Sequence, residues 1–392
     1  MTTIRVPPRS CDVLVIGAGI VGASCAHYLA DAGVDVVVVD RGPVAGGTTS
    51  AGEGNILLSD KQPGPELELA VSSREHWLEL GQRLGDGCEL EPKGGLVVAA
   101  TEATMTALKD RNLELRDGGV EVVDVAAHEL GELEPHLSAE LAGGAFHPQD
   151  MQVQPMLATA LLLALPRATG SVRVVPGCDV TGVDLDAAGA VRGVSTSLGP
   201  IATRSVVNAA GTWASEVAAM AGVAVPVLPR RGFILVTEPL PLVIRHKVYT
   251  AEYVDNVASS DAGLETSTVI EGTRGGTVLI GASRERVGFD RTQDWDVIRL
   301  LARKAVDVFP FLRDIRLLRT YAGFRPYCPD HLPVVGADPR VPGLFHSCGH
   351  EGAGIGLAPA SGRLVAQAVL QEPPSLDLTA FRPDRFDGDP HA

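Results

Sequence analysis

The chain opens with two apolar runs that enclose a glycine-rich turn and a helical pattern. Residues 13–16 are apolar and rich in β-branched side chains, which predicts a buried strand. A helical pattern then runs through Leu29 and ends at Gly33. A second apolar run, residues 34–39, stops at Asp40. This order predicts a strand–helix–strand unit at the start of the chain.

Helical and extended patterns alternate over the middle of the chain. The helical pattern at residues 65–84 places six apolar side chains inward: Leu67, Ala70, Val71, Trp77, Leu78 and Leu80. Further predicted elements are a strand at 91–100, a helix–strand–helix stretch at 103–134, a helix at 156–165 and strands at 172–175, 193–196 and 204–209.

The later part of the chain predicts several strands within residues 225–284, a helix at 294–309 and a strand at 344–348. A glycine-rich turn and a last helix follow. The predicted fold class is α/β: a Rossmann-like nucleotide-binding domain built from discontinuous segments, with an inserted α+β domain on an antiparallel sheet. The expected bounds are 1–90, 145–222 and 322–392 for the first domain, and 91–144 and 223–321 for the second.

Composition narrows the function classes without naming a substrate. The 392 residues carry a net charge of −15, which argues against nucleic acid and anionic membranes as partners. No apolar run approaches the roughly 20 residues that span a bilayer, and the first ten residues lack the apolar core of a signal peptide. We therefore expect no transmembrane segment and a cytoplasmic location. The six cysteines form no C-x-x-C pair, so no metal site is predicted.

The glycine-rich turn has the spacing G-x-G-x-x-G. Gly17 lets the chain turn off the strand, Gly19 lets the backbone approach a pyrophosphate, and Gly22 lets the helix pack on the strand. The N–H groups that begin the helix suit phosphates. Asp40 is well placed to accept hydrogen bonds from ribose hydroxyls. Within a strand–helix–strand unit, this motif predicts dinucleotide binding.

Four motifs occur together in one order along the chain. They are the N-terminal glycine motif, NAAGTWA at 208–214, AGFRP at 322–326 and GHEGAGIGLAPASG at 349–362. In this order the whole chain resembles the FAD-dependent amine and amino-acid oxidoreductases of the D-amino-acid oxidase type. That family includes glycine and sarcosine oxidases. The segments RGFILVTEP, DMQVQPM and LDLTAFRPDRF further resemble the flavin subunits of hydrogen cyanide synthase and of proline and D-hydroxyproline dehydrogenases.

The resemblance implies FAD as the cofactor and assigns residues to it. The implied FAD-binding residues are Gly17, Gly19, Ile20, Val21, Gly22, Asp40, Arg41, Gly47, Thr48, Thr49, Ser50, Asn55, Val180, Ala210, Gly211, Gly352, Gly354, Ile355 and Gly356. The last four would lie against the flavin, where a helix N-terminus stabilises the negative charge of the reduced ring. No cysteine or histidine matches a covalent attachment motif, which implies noncovalent FAD.

The resemblance also implies substrate-binding residues. Arg325, in the G-x-R-P context, would hold a substrate carboxylate through its guanidinium fork. Arg230 and Arg231 form a second candidate pair, with a solvent-facing role as the alternative. We also assign Tyr253 and His350 to the catalytic site. The alternatives are a half-buried aromatic for Tyr253 and a positional role for His350.

The expected reaction is oxidation of a C–N bond by hydride transfer to flavin N5. The compatible substrates are small D-amino acids, proline or hydroxyproline, N-methyl amino acids and opines. We expect an oligomer that serves as the flavin subunit of a heteromeric dehydrogenase and passes electrons to partner subunits. The alternative is a free-standing oxidase that uses O2 and releases H2O2. Glu351 departs from some relatives, which places a glycine-oxidase-like specificity in doubt.

Overall fold

The computed structural model describes residues 2–165, 170–257 and 259–388. Its strands are β1 (Thr2–Thr3), β2 (Val13–Ile16), β3 (Asp35–Asp40), β4 (Asn55–Ile56), β5 (Gly95–Ala99), β6 (Val123–Ala126), β7 (Gly143–His147), β8 (Met151–Gln152), β9 (Ser171–Pro176), β10 (Val180–Leu185), β11 (Val191–Thr196), β12 (Ile201–Ala202), β13 (Ser205–Asn208), β14 (Leu228–Thr237), β15 (Lys247–Thr250), β16 (Glu265–Gly272), β17 (Val278–Arg284), β18 (Leu317–Tyr327), β19 (Val334–Ala337) and β20 (Leu344–Cys348). Its helices are α1 (Ile20–Asp31), α2 (Pro65–Leu84), α3 (Glu102–Asp117), α4 (Leu130–Leu133), α5 (Pro155–Ala164), α6 (Ala214–Met220), α7 (Ala251–Val257), α8 (Trp295–Val308) and α9 (Gly354–Leu370).

The first sheet has the strand order β1-β9-β3-β2-β13-β20-β19. Its neighbouring strands are parallel, except that β19 and β20 are antiparallel. All four residues of β2 are buried, as are the four valines of β3, because a parallel sheet is covered on both faces. Helix α1 connects β2 to β3, so the predicted strand–helix–strand unit is confirmed.

The second sheet has the order β18-β14-β17-β16-β15-β5-β7-β6. Its neighbours are antiparallel, apart from the parallel pair β15 and β5, so the predicted antiparallel sheet is a mixed one. Strands β7 and β18 cross the predicted domain bounds at residues 145 and 322. Pairing across a sheet sets where a strand ends, and a linear pattern does not contain that information. The domain division itself stays a prediction.

Some elements differ from the sequence prediction. Helix α2 begins and ends where predicted, with Pro65 in its first turn and Gly85 after its end. Strand β10 and the pair β15–α7 have no separate counterparts in the sequence prediction, because polar residues interrupt their short apolar patterns. The second helix expected near residue 134 is only the single turn α4.

Helix α9 contains a proline whose missing N–H is compensated by helix α2. Pro359 has no N–H to donate to the carbonyl oxygen of Ile355. The indole Nε1 of Trp77 donates to that oxygen at 3.0 Å. The hydroxyl of Ser73 donates to the carbonyl of Gly356 at 2.6 Å. The two helices are therefore joined at the first turn of α9, which fixes where that helix begins.

One helical stretch, residues 351–370, is long and apolar enough to cross a membrane by length and composition. Slightly more than half of it, 56%, is buried inside the protein. A core helix of a soluble fold passes the same test, so this stretch is a weak candidate and qualifies the expectation that no segment spans a membrane.

We expect Trp77→Phe to lower the free energy of unfolding by about 1–3 kcal/mol, because the partly buried carbonyl of Ile355 loses its donor while most of the apolar area stays. Urea denaturation followed by circular dichroism measures the change. Trp295→Phe is the control, since Trp295 is 59% exposed and the change there should stay within about 0.5 kcal/mol. Equal effects of the two substitutions would contradict this role of Trp77.

Candidate active site

A large cavity is lined by residues of both sheets. It encloses about 1870 Å³ of space free of protein atoms, counting the part open to solvent. The first sheet contributes the ends of β2, β3 and β20, and the second contributes residues of β14 and β18. The cavity lies at the carboxyl ends of parallel strands, where α/β proteins bind their ligands.

The G-x-G-x-x-G turn brings backbone to one end of this cavity. Gly17 has a φ of +113°, and a Cβ there would lie 2.3 Å from the carbonyl oxygen of Ala209. A Cβ at Gly22 would lie 1.9 Å from the carbonyl oxygen of Gly17, so Gly22 does not line the cavity but lets α1 lie against the turn. Gly19 is the N-cap of α1 and lines the cavity with Ile20 and Val21. The positive end of the helix therefore faces the cavity.

Asp40 holds the loops at this end of the cavity. Its Oδ2 accepts a hydrogen bond from the Ala18 N–H at 2.8 Å, and its Oδ1 accepts one from the Gly42 N–H at 2.7 Å. Each carboxylate oxygen keeps a second acceptor position, so both bonds are compatible with the predicted ribose contact. Next to it, the guanidinium of Arg41 stacks on Trp213 at 4.0 Å from the ring centre.

The loop at residues 47–50 joins the glycine turn to the second sheet. The Thr49 hydroxyl accepts a hydrogen bond from the Ile20 N–H at 3.0 Å. The Thr48 hydroxyl donates to the carbonyl of Phe324 in β18 at 2.7 Å. Gly47 lines the cavity with both threonines, whereas Ser50 bonds back to the Gly47 carbonyl and does not line it.

The remaining predicted cofactor residues fall on several loops. Asn55, Val180, Ala210, Gly211, Gly352, Gly354 and Ile355 line the cavity, and Gly356 lies beside it. The N-terminus of α9 therefore points its positive end at the cavity from a second direction.

The residues present fit an extended dinucleotide. A Cβ at Gly19 would enter the cavity and lie only 3.1 Å from the Thr49 hydroxyl, so the side-chain-free backbone leaves space there for a phosphate. The acid at the end of β3 suits a ribose, and the second helix terminus suits the electron-rich edge of a flavin. Taken together, these groups would hold FAD between the two helix N-termini.

Three glycines of the second sheet, Gly232, Gly281 and Gly323, lie beside the cavity and are called the glycine floor below. A Cβ at Gly232 would lie 2.3 Å from Nη1 of Arg325, and one at Gly323 would lie 2.6 Å from the carbonyl oxygen of Ala51. A Cβ at Gly281 would lie 3.0 Å from Oε1 of Glu53. The missing side chains let Arg325 and the loop at residues 51–53 lie flat on the sheet.

Arg325 is a half-buried cation in this cavity. Its Nη1 donates to the carbonyl of Ser283 at 2.8 Å, and no ion pair to a carboxylate is formed by it among residues 2–165, 170–257 and 259–388. Burial, together with the nearby Arg284, lowers the pKa of Arg325 to about 10, so it stays charged at neutral pH. The structure thus supplies a positive charge whose counter-ion would come from a ligand.

Tyr253 and His350 also line the cavity. Burial raises the pKa of Tyr253 to about 12, so its hydroxyl stays protonated. Burial lowers the pKa of His350 to about 3, and its Nε2 lies 2.9 Å from the Ser361 hydroxyl. His350 is therefore neutral and is tied to α9, which favours the positional alternative. The catalytic assignment of both residues stays a prediction.

The alternative carboxylate-binding pair is occupied by acids of the protein itself. Arg230 is fully buried and pairs with Glu351 at 2.7 Å and with Glu265 at 2.9 Å. Arg231 pairs with Glu285 at 2.7 Å and with Asp290. A solvent-facing role for these arginines is wrong, because both side chains are buried in ion pairs.

The cavity-lining side chains that the sequence interpretation did not assign include Glu53, Trp213 and Arg291. Glu53 carried a usable signal, since it is the single acid within a loop already assigned to FAD. Arg291 carried none, because the chain brings it to the cavity from the loop after β17.

Comparison with known proteins gives the same family over nearly the whole chain. Residues 12–368 match the DAO family, described as FAD dependent oxidoreductase. Hydrogen cyanide synthase subunit HcnC of Pseudomonas aeruginosa is 29% identical, with 98% of each chain covered. Glycine oxidase of Geobacillus kaustophilus is 30% identical over 96% of this chain and 97% of its own.

Solved structures show the same fold. The crystal structure of glycine oxidase from Geobacillus kaustophilus matches with a TM-score of 0.87 and 26% identity, covering 96% of this chain and 99% of that one. L-proline dehydrogenase from P. horikoshii also matches with a TM-score of 0.87, at 24% identity, covering 97% of this chain and 98% of that one. The predicted fold class is thereby confirmed.

We expect Gly19→Val to yield a folded protein that purifies without FAD. The φ of −77° at Gly19 suits valine, but its methyl groups would fill the space left for the pyrophosphate. The ratio of flavin to protein absorbance measures the loss. Gly182→Val is the matched control, because Gly182 lies in strand β10 and does not line the cavity. A fully loaded Gly19→Val protein would overturn this placement of the phosphates.

Proposed function

This chain belongs to the DAO family of FAD-dependent oxidoreductases acting on amino acids, and from that premise we propose a finer function. The protein oxidises the C–N bond of a small amino or imino acid and serves as the flavin subunit of a heteromeric dehydrogenase. The observation that carries the substrate class is Arg325, a cation held in the cavity without a carboxylate of its own among the described residues.

Arg325 acts by binding and orientation. A planar guanidinium holds a carboxylate through two parallel hydrogen bonds, which fixes the carbon next to that carboxylate. The glycine floor keeps Arg325 flat against β14, so the remaining height of the cavity is left for the substrate. Bound FAD supplies the two-electron acceptor for the hydrogen lost from the substrate carbon. The N-terminus of α9 contributes a positive end where negative charge develops.

The substrate candidates are those expected from the sequence: a D-amino acid, proline or hydroxyproline, an N-methyl amino acid or an opine. Relatives named for glycine oxidation and for sarcosine dehydrogenation support a small substrate of this kind. The L-proline dehydrogenase shares the fold and at that identity supports the fold alone.

Two observations favour different electron acceptors. HcnC, which matches over 98% of each chain, is named as a subunit, and this supports transfer of electrons to a partner. The relatives named glycine oxidase support the second candidate, a free-standing oxidase that uses O2 and releases H2O2. The cytoplasmic location and the oligomer stay proposals.

We expect Arg325→Ala to raise the KM for the substrate about tenfold to a hundredfold, because a charge-assisted pair worth about 1.5–3 kcal/mol is lost. FAD content should stay near normal. Steady-state kinetics and flavin absorbance measure the two quantities. Arg319→Ala is the control on the same strand, where the side chain is exposed and packs on Tyr321. An unchanged KM in Arg325→Ala would remove this residue from the substrate site.

We expect the flavin of the purified protein to bleach anaerobically with one of D-proline, L-proline, hydroxyproline, sarcosine, glycine or D-alanine. As a dehydrogenase subunit, it should recover its colour slowly in air and quickly with an artificial electron acceptor. Stopped-flow absorbance follows both steps. Fast recovery in air with release of H2O2 would instead establish the oxidase.

A further inference from the structure

One carboxyl group in the cavity has no part in the function proposed above. Glu53 is only 7% exposed and lines the cavity on the side of the second sheet. Its Oε1 has no hydrogen-bond partner, and its Oε2 lies 3.5 Å from the Asn55 side-chain nitrogen, at the limit of a hydrogen bond. Buried carboxyl groups nearly always have hydrogen-bond partners, so a carboxyl group in a cavity wall with one contact at 3.5 Å is available to a ligand.

The position of Glu53 is set by the glycine floor. Its Oε1 lies against Gly281 of β17, and the Ala51 backbone lies against Gly323 of β18. Side chains at those two glycines would lift the loop off the sheet. The close approach therefore places the carboxyl group beside the substrate space.

Glu53 and Arg325 lie over the same strand. Arg325 is bonded to the carbonyl of Ser283, and Glu53 lies over Gly281, two residues earlier on β17. Glu53 and Arg325 line the same cavity, so one α-amino acid can meet both groups, with its carboxylate on Arg325 and its nitrogen on Glu53.

The charges around Glu53 leave it able to accept a proton. Lys247 approaches its Oε1 to 4.0 Å but is bonded to Glu271 at 2.6 Å. Burial raises the pKa of Glu53, and Glu271 adds to the rise, while Lys247 and Arg325 oppose it. The hydroxyls of Tyr253 and Tyr321 also face this group, and burial keeps both protonated.

A purely structural role explains these contacts less well. Glu271 already neutralises Lys247, and its Oε2 also accepts a hydrogen bond from the Gly54 N–H at 2.9 Å. Glu271 therefore already supplies the counter-charge for Lys247 and the acceptor for the loop. Glu53 keeps a place in the cavity wall, and its Oε2 has only the 3.5 Å contact to the Asn55 side chain.

We propose that Glu53 binds the substrate nitrogen and takes its proton, so that the substrate is oxidised as a neutral amine. In this step an N–H bond of the substrate ammonium breaks and an O–H bond forms on Glu53, with no change in electron count. The nitrogen lone pair can then form the C=N bond as the adjacent carbon loses its hydrogen and two electrons to bound FAD. The inference rests on the proposed oxidation of amino or imino acids.

The test compares Glu53→Gln with wild type as FAD-loaded proteins. Anaerobic stopped-flow absorbance measures the rate of flavin bleaching from pH 6 to 10 with the compound that bleaches the wild type. We expect Glu53→Gln to be at least a hundredfold slower at neutral pH. Its rate should rise about tenfold per pH unit, because only the free amine in solution then reacts. The wild-type rate should stop rising with pH at a lower pH than the rate of Glu53→Gln.

Glu285→Gln is the control, since it makes the same chemical change at an acid paired with Arg231 that does not line the cavity. Glu53→Ala with added formate provides a second measurement. A small acid that enters the vacated space should restore part of the bleaching rate, which a lost structural contact would not allow. If Glu53→Gln fails to fold, the response of Glu53→Ala to formate alone tests the role of Glu53.

The outcomes separate the two proposals. A wild-type flavin that no amino or imino acid bleaches would overturn both the proposed function and the role of Glu53. A wild-type flavin that bleaches, with the same pH profile in Glu53→Gln and no response of Glu53→Ala to formate, would overturn the role of Glu53 alone.

Discussion

The close approach of backbone to backbone is the constraint on which the rest of this structure depends. At the first turn, the carbonyl of Gly17 occupies the space where a Cβ at Gly22 would lie, only 1.9 Å away. That contact sets the angle at which α1 leaves the sheet, and hence where its N-terminus points. Asp40 then fixes the turn through the Ala18 N–H. A single methyl group at either glycine would move both the helix end and the acid that a dinucleotide needs.

The same constraint recurs on the second sheet with a different result. There the glycines face a loop and a side chain rather than a helix, and they let both lie close to the sheet beside the cavity. Gly232 accommodates Arg325, and Gly281 accommodates Glu53. An acid and a base are thereby held close to the sheet in the wall of one cavity. Orientation of a zwitterion follows from backbone geometry more than from flexible side chains.

The sequence predicted the parts of the fold that are local. The unit β2–α1–β3 followed from two apolar runs around a glycine motif, and helix α2 followed from a long helical pattern. The importance of Glu53 depends on a glycine more than 200 residues away and on a buried ion pair, neither of which leaves a mark in the loop's own sequence. Trp77 was predicted to face inward, but its bond to α9 depends on a proline in another helix.

The hydrogen bond from Thr48 to the carbonyl of Phe324 has a thermodynamic consequence. It joins the loop predicted to meet the cofactor to the strand that carries Arg325. Ordering of one side by its ligand would therefore lower the entropic cost of ordering the other. Linkage is reciprocal, so a carboxylate held by Arg325 would tighten the hold on the cofactor by the same factor as the cofactor tightens the hold on the carboxylate. Two ligands that meet in one cavity are in this way coupled through the protein as well as through their own contact.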